Sequence, residues 1–285
     1  MAHKRTIEIR QINVAMHQPH SPQGYIDLFQ KAYRMKLIHV RGRADGFMLG
    51  AVYDAKNALL KDELHGEIYR FTNIDPDSPW FNTQTGKPAE ESETENIEIP
   101  AHLHPNLDRM PFVFLPKSHQ LWYVSKDRKA SMGPLVAENF FQALFNATCI
   151  KHGLPMVEVT VVPDLAAVDE VLNIHRLTRV TMVFKRPNDD ADEIEKRVME
   201  LMTRRKLNRI EEVMTSQDHE GIKPDTLMVD EAKAAAKNGY VLSEGFDVEG
   251  LPARESTIAK PALYSQSVNE EIESIAHVLS RISRE

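Results

Sequence analysis

Along the first half of the chain, apolar and polar positions alternate with a period of two. IEIRQINVAM (7–16), RMKLIHVRG (34–42), GFMLGAVYD (46–54), HGEIYRFTNI (65–74) and PFVFLPKSHQLWYVS (111–125) are rich in β-branched and aromatic residues, the pattern of half-buried strands. YIDLFQKAY (25–33) breaks the rhythm, with Tyr25, Leu28, Phe29 and Tyr33 at helical spacing. The stretch from Asp75 to Pro100 follows neither period. Its prolines and run of glutamates predict an exposed loop, the segment of the chain most given to disorder.

Beyond Met132 the period lengthens. Leu135, Val136, Phe140, Phe141, Leu144, Phe145 and Ile150 give a helix over 132–152 an apolar face too wide for one neighbour, with Pro134 suited to its first turn and Gly153 to its C-terminal cap. The strand MVEVTVV (156–162), a short helix in AAVDEVLNI and the strand LTRVTMVF (177–184) follow, an order compatible with a parallel crossover unit. A long charged helix is predicted from Asp189 to Met214, another in DTLMVDEAKAAAKNG, extended chain over 240–266, and a last helix capped by Asn269 with Ile272, Ile275, Leu279 and Ile282 in one stripe. The architecture that satisfies these periods is α+β: a mostly antiparallel N-terminal sheet, a mixed βαβα region and a helical C-terminal end. A boundary near residue 130 divides a β-rich region (1–130, with 75–100 as its exposed loop) from an α/β region (131–285). The wide helix at 132–152 is also able to weld the two into one core.

Composition narrows the class. The 285 residues are 42% hydrophobic and 27% charged, ordinary for a globular protein able to bury a core without disulfides. A single cysteine, Cys149, lies in the apolar helical pattern, so no disulfide forms within the chain and a reducing compartment is expected. The basic start MAHKR leads into no uninterrupted apolar segment, and no run approaches the roughly 18 residues of a membrane span, so a cytoplasmic protein is expected. The formal charge of −7 argues against a surface that is basic throughout but leaves room for a local basic groove.

Candidate chemistry is sparse. AHLHPNLD (101–108) places His102 and His104 two apart, with Asp108 four residues on, donor types that zinc accepts; a polar loop landing on the next strand explains them as well. HQPH at 17–20 is broken by Pro19 and lacks the helix that an HExxH site needs. There is no G-x-S-x-G elbow, a strand would point Ser118 and His119 to opposite faces, and burial would make Cys149 inert. No phosphate-binding glycine loop follows a predicted strand, and Gly42, Gly46 and Gly50 are read as turn glycines. The acids at 189–193 suit a helix start.

Basic clusters carry more. KDRK supplies Lys126, Arg128 and Lys129 beside the aromatic pair Trp122 and Tyr123, Arg179, Lys185 and Arg186 flank a strand, and TRRKLNR supplies Arg204 and Arg205. Segregated positive charge in an acidic chain is one way to build a groove that tracks phosphates, and each cluster is equally able to be a solvated face.

The strand MVFKRPN, the acidic-to-basic segment DDADEIEKRVMELMTRRKLNRI, the extended YVLSEGFDVEGLPARESTIAKPALYSQ and a closing helix resemble a group of uncharacterised bacterial and prophage proteins with a domain of unknown function. More distantly they resemble RexA-like phage-exclusion proteins, over residues 155–285. That resemblance implies a dimeric, cytoplasmic, DNA-binding component of anti-phage defence working with a protein effector, and no catalytic motif comes with it. The sequence therefore predicts a non-enzymatic protein that binds DNA, RNA or a partner protein, needs no cofactor or membrane, and forms a homo-oligomer. A metal-dependent hydrolase at His102, His104 and Asp108 is the rival expectation. An oligomeric scaffold joined through the Ile272–Ile282 stripe is the third.

Overall fold

A computed structural model describes residues 4–17, 21–53, 63–75, 77–95, 97–185, 193–269 and 273–284. The chain begins with β1 (Lys4–Met16), α1 (Pro22–Met35), β2 (His39–Arg41), β3 (Asp45–Tyr53) and β4 (Leu64–Thr72). A small hairpin of β5 (Phe81–Asn82) and β6 (Lys87–Pro88) and one turn of helix, α2 (Glu91–Thr94), precede β7 (Asp108–Leu115), β8 (Gln120–Asp127) and β9 (Ala130–Ser131). Then come α3 (Pro134–His152), β10 (Val157–Val161), α4 (Ala166–Leu172), β11 (Arg176–Lys185), α5 (Glu193–Arg205) and β12 (Arg209–Thr215). The chain closes with α6 (Thr226–Asn238), β13 (Gly239–Phe246), β14 (Pro252–Ser256), β15 (Tyr264–Asn269) and α7 (Ile275–Ile282). The class is α+β, with a large antiparallel N-terminal sheet and a C-terminal helix, as the periodicity predicts.

The first sheet has the order β10-β1-β8-β7-β4-β3-β2, with β15 beside the N-terminal half of β1 and β9 beside β8; its described pairs are antiparallel. Because side chains alternate along a strand, β1 serves two cores. Ile12, Val14 and Met16 meet α1 and α3 through Tyr25, Leu28, Phe29, Phe140, Phe141, Leu144 and Phe145. Ile7 and Ile9, on the opposite face, meet Trp122, Val124, Val268 and the buried side of α7, Val278, Leu279 and Ile282. The stripe proposed for another subunit is thus occupied by the chain's own sheet; Ile272 lies outside the described residues. Ser274 caps α7, its hydroxyl accepting from the N–H of His277, and Asn269 ends β15 instead of capping the helix.

The second sheet, β12-β11-β13-β14, is covered on one side by α4, α5 and α6 around Val180, Met182, Phe184, Val241 and the alanines of α6. β10 and β11 therefore belong to different sheets, and the crossover unit expected from their order does not form. The predicted helix to Met214 ends at Arg205. Lys206 takes a left-handed φ of 55°, and RIEEVMT pairs with β11 so that Ile210 and Met214 pack against the second core. β10 and β15 both pair with β1 in the first sheet, and the strands of the second sheet lie between them in the chain. The second unit is an insertion between β10 and β15, and α3 belongs to the first core.

Two glycines expected in turns sit inside β3. The Cβ that Gly50 lacks would fall 2.2 Å from the ring of Tyr69, and one on Gly46 2.3 Å from that of Phe71, so cross-strand aromatics fill those positions. Gly42, with φ 61°, does make the β2–β3 turn. Within 75–100, where disorder was expected, β5, β6 and α2 supply local hydrogen bonds while Phe81 stays exposed.

Candidate nucleic-acid interface

β11 turns Val180, Met182 and Phe184 toward the helices, so Arg179, Thr181, Val183 and Lys185 face the other way. Register places Arg209, Glu211, Val213 and Thr215 of β12 beside them, and Tyr240, Leu242, Glu244 and Phe246 of β13 on the other flank. Arg254 of β14 lies opposite Glu244. The face is open along its outer strands. All four outward residues of β12 are exposed, Val213 at 45%, and the side chains of Arg179 and Arg254 keep 49% and 69% of their surface.

Charge on this face is reversed relative to the whole chain. Arg176, Arg179, Arg209 and Arg254 share it with two acids, Glu211 and Glu244. Glu244 is divided between Arg179 at 3.8 Å and Arg254 at 3.6 Å, and Glu211 holds Arg209 at 2.7 Å. The guanidinium of Arg176 lies 4.2 Å over the ring of Phe246, and that of Arg209 lies 5.9 Å over Tyr240. Such contacts hold an arginine plane in place, and Arg209 Nη2 also donates to the Tyr240 hydroxyl at 3.2 Å.

The residues singled out by charge clustering scatter. Arg179 and Lys185 reach this face, but Lys185 sits at its inner end, 3.8 Å from Glu138 of α3 and 3.7 Å from Glu158 of β10. Burial raises the pKa of Glu138, and Lys185 offsets part of that rise. Lys126 pairs with Glu8 at 3.1 Å at one end of the first sheet, and Arg128 and Lys129 form the β8–β9 turn, with Arg128 at a φ of 53°. Glu8 and Ala15, the β1 partners of Lys126 and Glu158, are seven residues apart, about 23 Å along the strand. No single groove therefore joins the KDRK turn to Lys185. Arg204 and Arg205 end α5 on the helical side, and Arg186 lies outside the described residues.

The histidine motif divides in the same way. His104 stacks on Phe71 with ring centroids 4.5 Å apart, His102 is exposed in a turn, and Asp108 opens β7 with Arg70 3.9 Å away. Asn106 donates to the Thr72 hydroxyl at 3.0 Å, and the Thr72 N–H donates to the Pro105 carbonyl, landing the loop on the end of β4. Among the described residues, no group of three or more His, Cys, Asp or Glu side chains is placed to hold a metal ion.

Folding also gathers Glu63, His65 and Ser280 over more than 200 residues of chain. The Ser280 hydroxyl donates to Glu63 Oε2 at 2.7 Å, and His65 Nε2 meets the same oxygen at 2.9 Å. In a catalytic relay the imidazole stands between serine and acid. Here the acid accepts the serine's hydrogen bond directly, and Arg284 closes on its other oxygen at 2.6 Å, so the cluster ties α7 to β4. Cys149 is buried, and its thiol is pushed up to about 11 by burial.

The profile of one family, described as a domain of unknown function (DUF4747), matches residues 5–284. The chain belongs to this family. The DUF4747 match therefore spans both sheets, the inserted unit and α7. None of the curated proteins matches the chain. No described helix of this DUF4747 protein is long and apolar enough to cross a membrane.

Arg209 and Arg254 are the face residues that sequence reasoning missed. Arg209 sits in a segment read as helix, and Arg254 in one read only as extended. The signal was the alternation R-x-E-x-V-x-T over 209–215, which has a strand's period.

Proposed function

We propose that this chain binds single-stranded nucleic acid across the open face of its second sheet. The observation that supports the reading best is the set of four arginines on one sheet face, Arg179, Arg209 and Arg254 of them exposed, in a chain of net charge −7; the middle of that face, at Thr181 and Val183, is buried. Shape favours single strands. Four strands span three spacings of about 4.8 Å, about 14 Å before side chains are added, too broad for a major groove of about 12 Å. A flat sheet carrying arginines and rings instead suits unstacked bases, which lie on it while the guanidinium groups take the phosphates. The resemblance to RexA-like phage-exclusion proteins adds a setting: a non-enzymatic, cytoplasmic component of anti-phage defence that works as a homodimer with a protein effector.

The test is fluorescence anisotropy with short single- and double-stranded DNA and RNA over a salt series. The expected result is preference for single strands, with log affinity falling against log salt at a slope of about −2 to −3, as about three or four phosphate contacts give on a single strand. Absence of binding at low salt, or equal binding to duplexes, contradicts the reading.

A further inference from the structure

Between the two sheets the chain builds a cavity of about 520 Å³ with a mixed polar and apolar lining. The face of β1 turned away from α1 and α3 runs Ile7, Ile9, Gln11, Asn13, apolar under α7 and amide beyond it. Gln120, opposite Asn13 on β8, extends the amide patch. The inserted unit meets this patch where Asn13 donates to Asn238 at 3.2 Å; Asn238 in turn donates to Glu195, and Lys237 reaches the same carboxylate at 3.3 Å. Both passages of chain between the units border the cavity. They are joined where the Ala262 N–H donates to the Val162 carbonyl and the Asp164 N–H to that of Lys260.

Two further polar side chains stand on this wall. Gln11, only 6% exposed, borders the cavity. The hydroxyl of Ser118, also on the lining, is buried and unpartnered. Folded proteins rarely leave buried polar groups unsatisfied, so the Ser118 hydroxyl, on the same lining as the Gln11 amide, points to something that completes it.

We propose that the cavity binds a neutral nucleoside. Anions are disfavoured: Lys237 is held by Glu195, and Asp164 adds negative charge at the border. Primary amides offer a donor and an acceptor side by side, the pattern that reads the edge of a nucleobase. Tyr264, on the same lining, supplies a ring for a planar ligand, and the volume lies within the roughly 300–1,000 Å³ of small-molecule sites. This inference is independent of the open sheet face, because Gln11 and Ser118 lie on the first unit.

The site carries its own reporter. Trp122 Nε1 donates to Gln120 Oε1 at 3.3 Å, and its ring centroid lies 5.0 Å from that of Tyr264. Trp80→Phe leaves Trp122 as the only tryptophan of two. In that full-length variant, titration with the four common ribonucleosides is expected to give a saturable change of Trp122 emission for at least one, and none for glucose. Gln11→Leu, which removes the amide bordering the cavity, is expected to weaken that response about tenfold or more while oligonucleotide binding is unchanged. Ser118→Ala, a milder change, serves if Gln11→Leu does not fold. Three outcomes overturn the proposal: no saturable response to any nucleoside, undiminished affinity in a folded cavity variant, or saturation by glucose alone.

Discussion

The two sheets differ in what lies against them. The first has an aromatic core under α1 and α3 on one face and, on the other, α7 at one end and the inserted unit at the other. The second has α4, α5 and α6 on one face, while the other is buried at Thr181 and Val183 and exposed along β12 and at Arg179 and Arg254. Packing accounts for the first sheet's large inward side chains. On the second, the outward residues of β12 and β14 contribute little to folding, so burial does not dictate their identities. Arginines alternating along an otherwise unconstrained strand are where a binding function has room to act.

The comparison is broken or sharpened first by substitutions that remove side chains from each region. Phe141→Ala, in the fully buried core of the first sheet, is expected to cost about 3–5 kcal/mol in urea unfolding, whereas Val213→Ala on the open face stays within about 0.5 kcal/mol. A cost at Val213 approaching that at Phe141 would mean the face is covered. Leu279→Ala is expected to cost about 2–5 kcal/mol and to change the emission of Trp122, because both side chains lie in the core under α7. Were α7 an oligomer contact only, light scattering would change and the unfolding midpoint of the monomer would not.

Smaller effects come from the junction and the buried thiol. The folded pKa of Glu138 is raised, so the folded state holds its proton more tightly, and the associated stability is present at acid pH and lost as pH rises through the folded value. Glu138→Gln cannot lose that contribution. Its melting temperature relative to the parent is therefore expected to increase from acid toward neutral pH, and a flat difference would contradict the burial. For Cys149, at about 11, roughly one thiol in a thousand is ionised at pH 8. Mass spectrometry after alkylation is expected to find it unmodified in the native protein and fully modified in denaturant.

Much of the first unit was readable before folding. β1 and α3 are long, strongly periodic, and rich in residues that packing demands on both faces, so local pattern and tertiary context agree there. The second unit was readable in its interior strand and its alanine-rich helix, but not at its edges. RIEEVMT carries residues that tolerate a helix, and only pairing with β11 decides for a strand. The binding face joins residues as distant as Arg176 and Arg254 through strand register, information that no local window holds. Charge clustering pointed to Arg179 and Lys185, which reach the face, and equally to the KDRK turn and the end of α5, where basic residues are consecutive but lie off it. Gln11 and Asn13 were visible as polar residues on an otherwise apolar strand face, yet the cavity they border exists only because the inserted unit folds back over them.

The measurement that tests the central claim most directly compares two charge reversals of equal size. Arg209→Glu with Arg254→Glu alters the open face of the second sheet, and Lys126→Glu with Lys129→Glu alters the hairpin end of the first. In anisotropy titrations with a single-stranded oligonucleotide, the first pair is expected to weaken binding by about tenfold or more and to reduce the salt slope by about 1.4. The second pair is expected to leave both nearly unchanged. The reverse result, with affinity lost at the hairpin and kept at the open face, would contradict the division of labour between the two sheets.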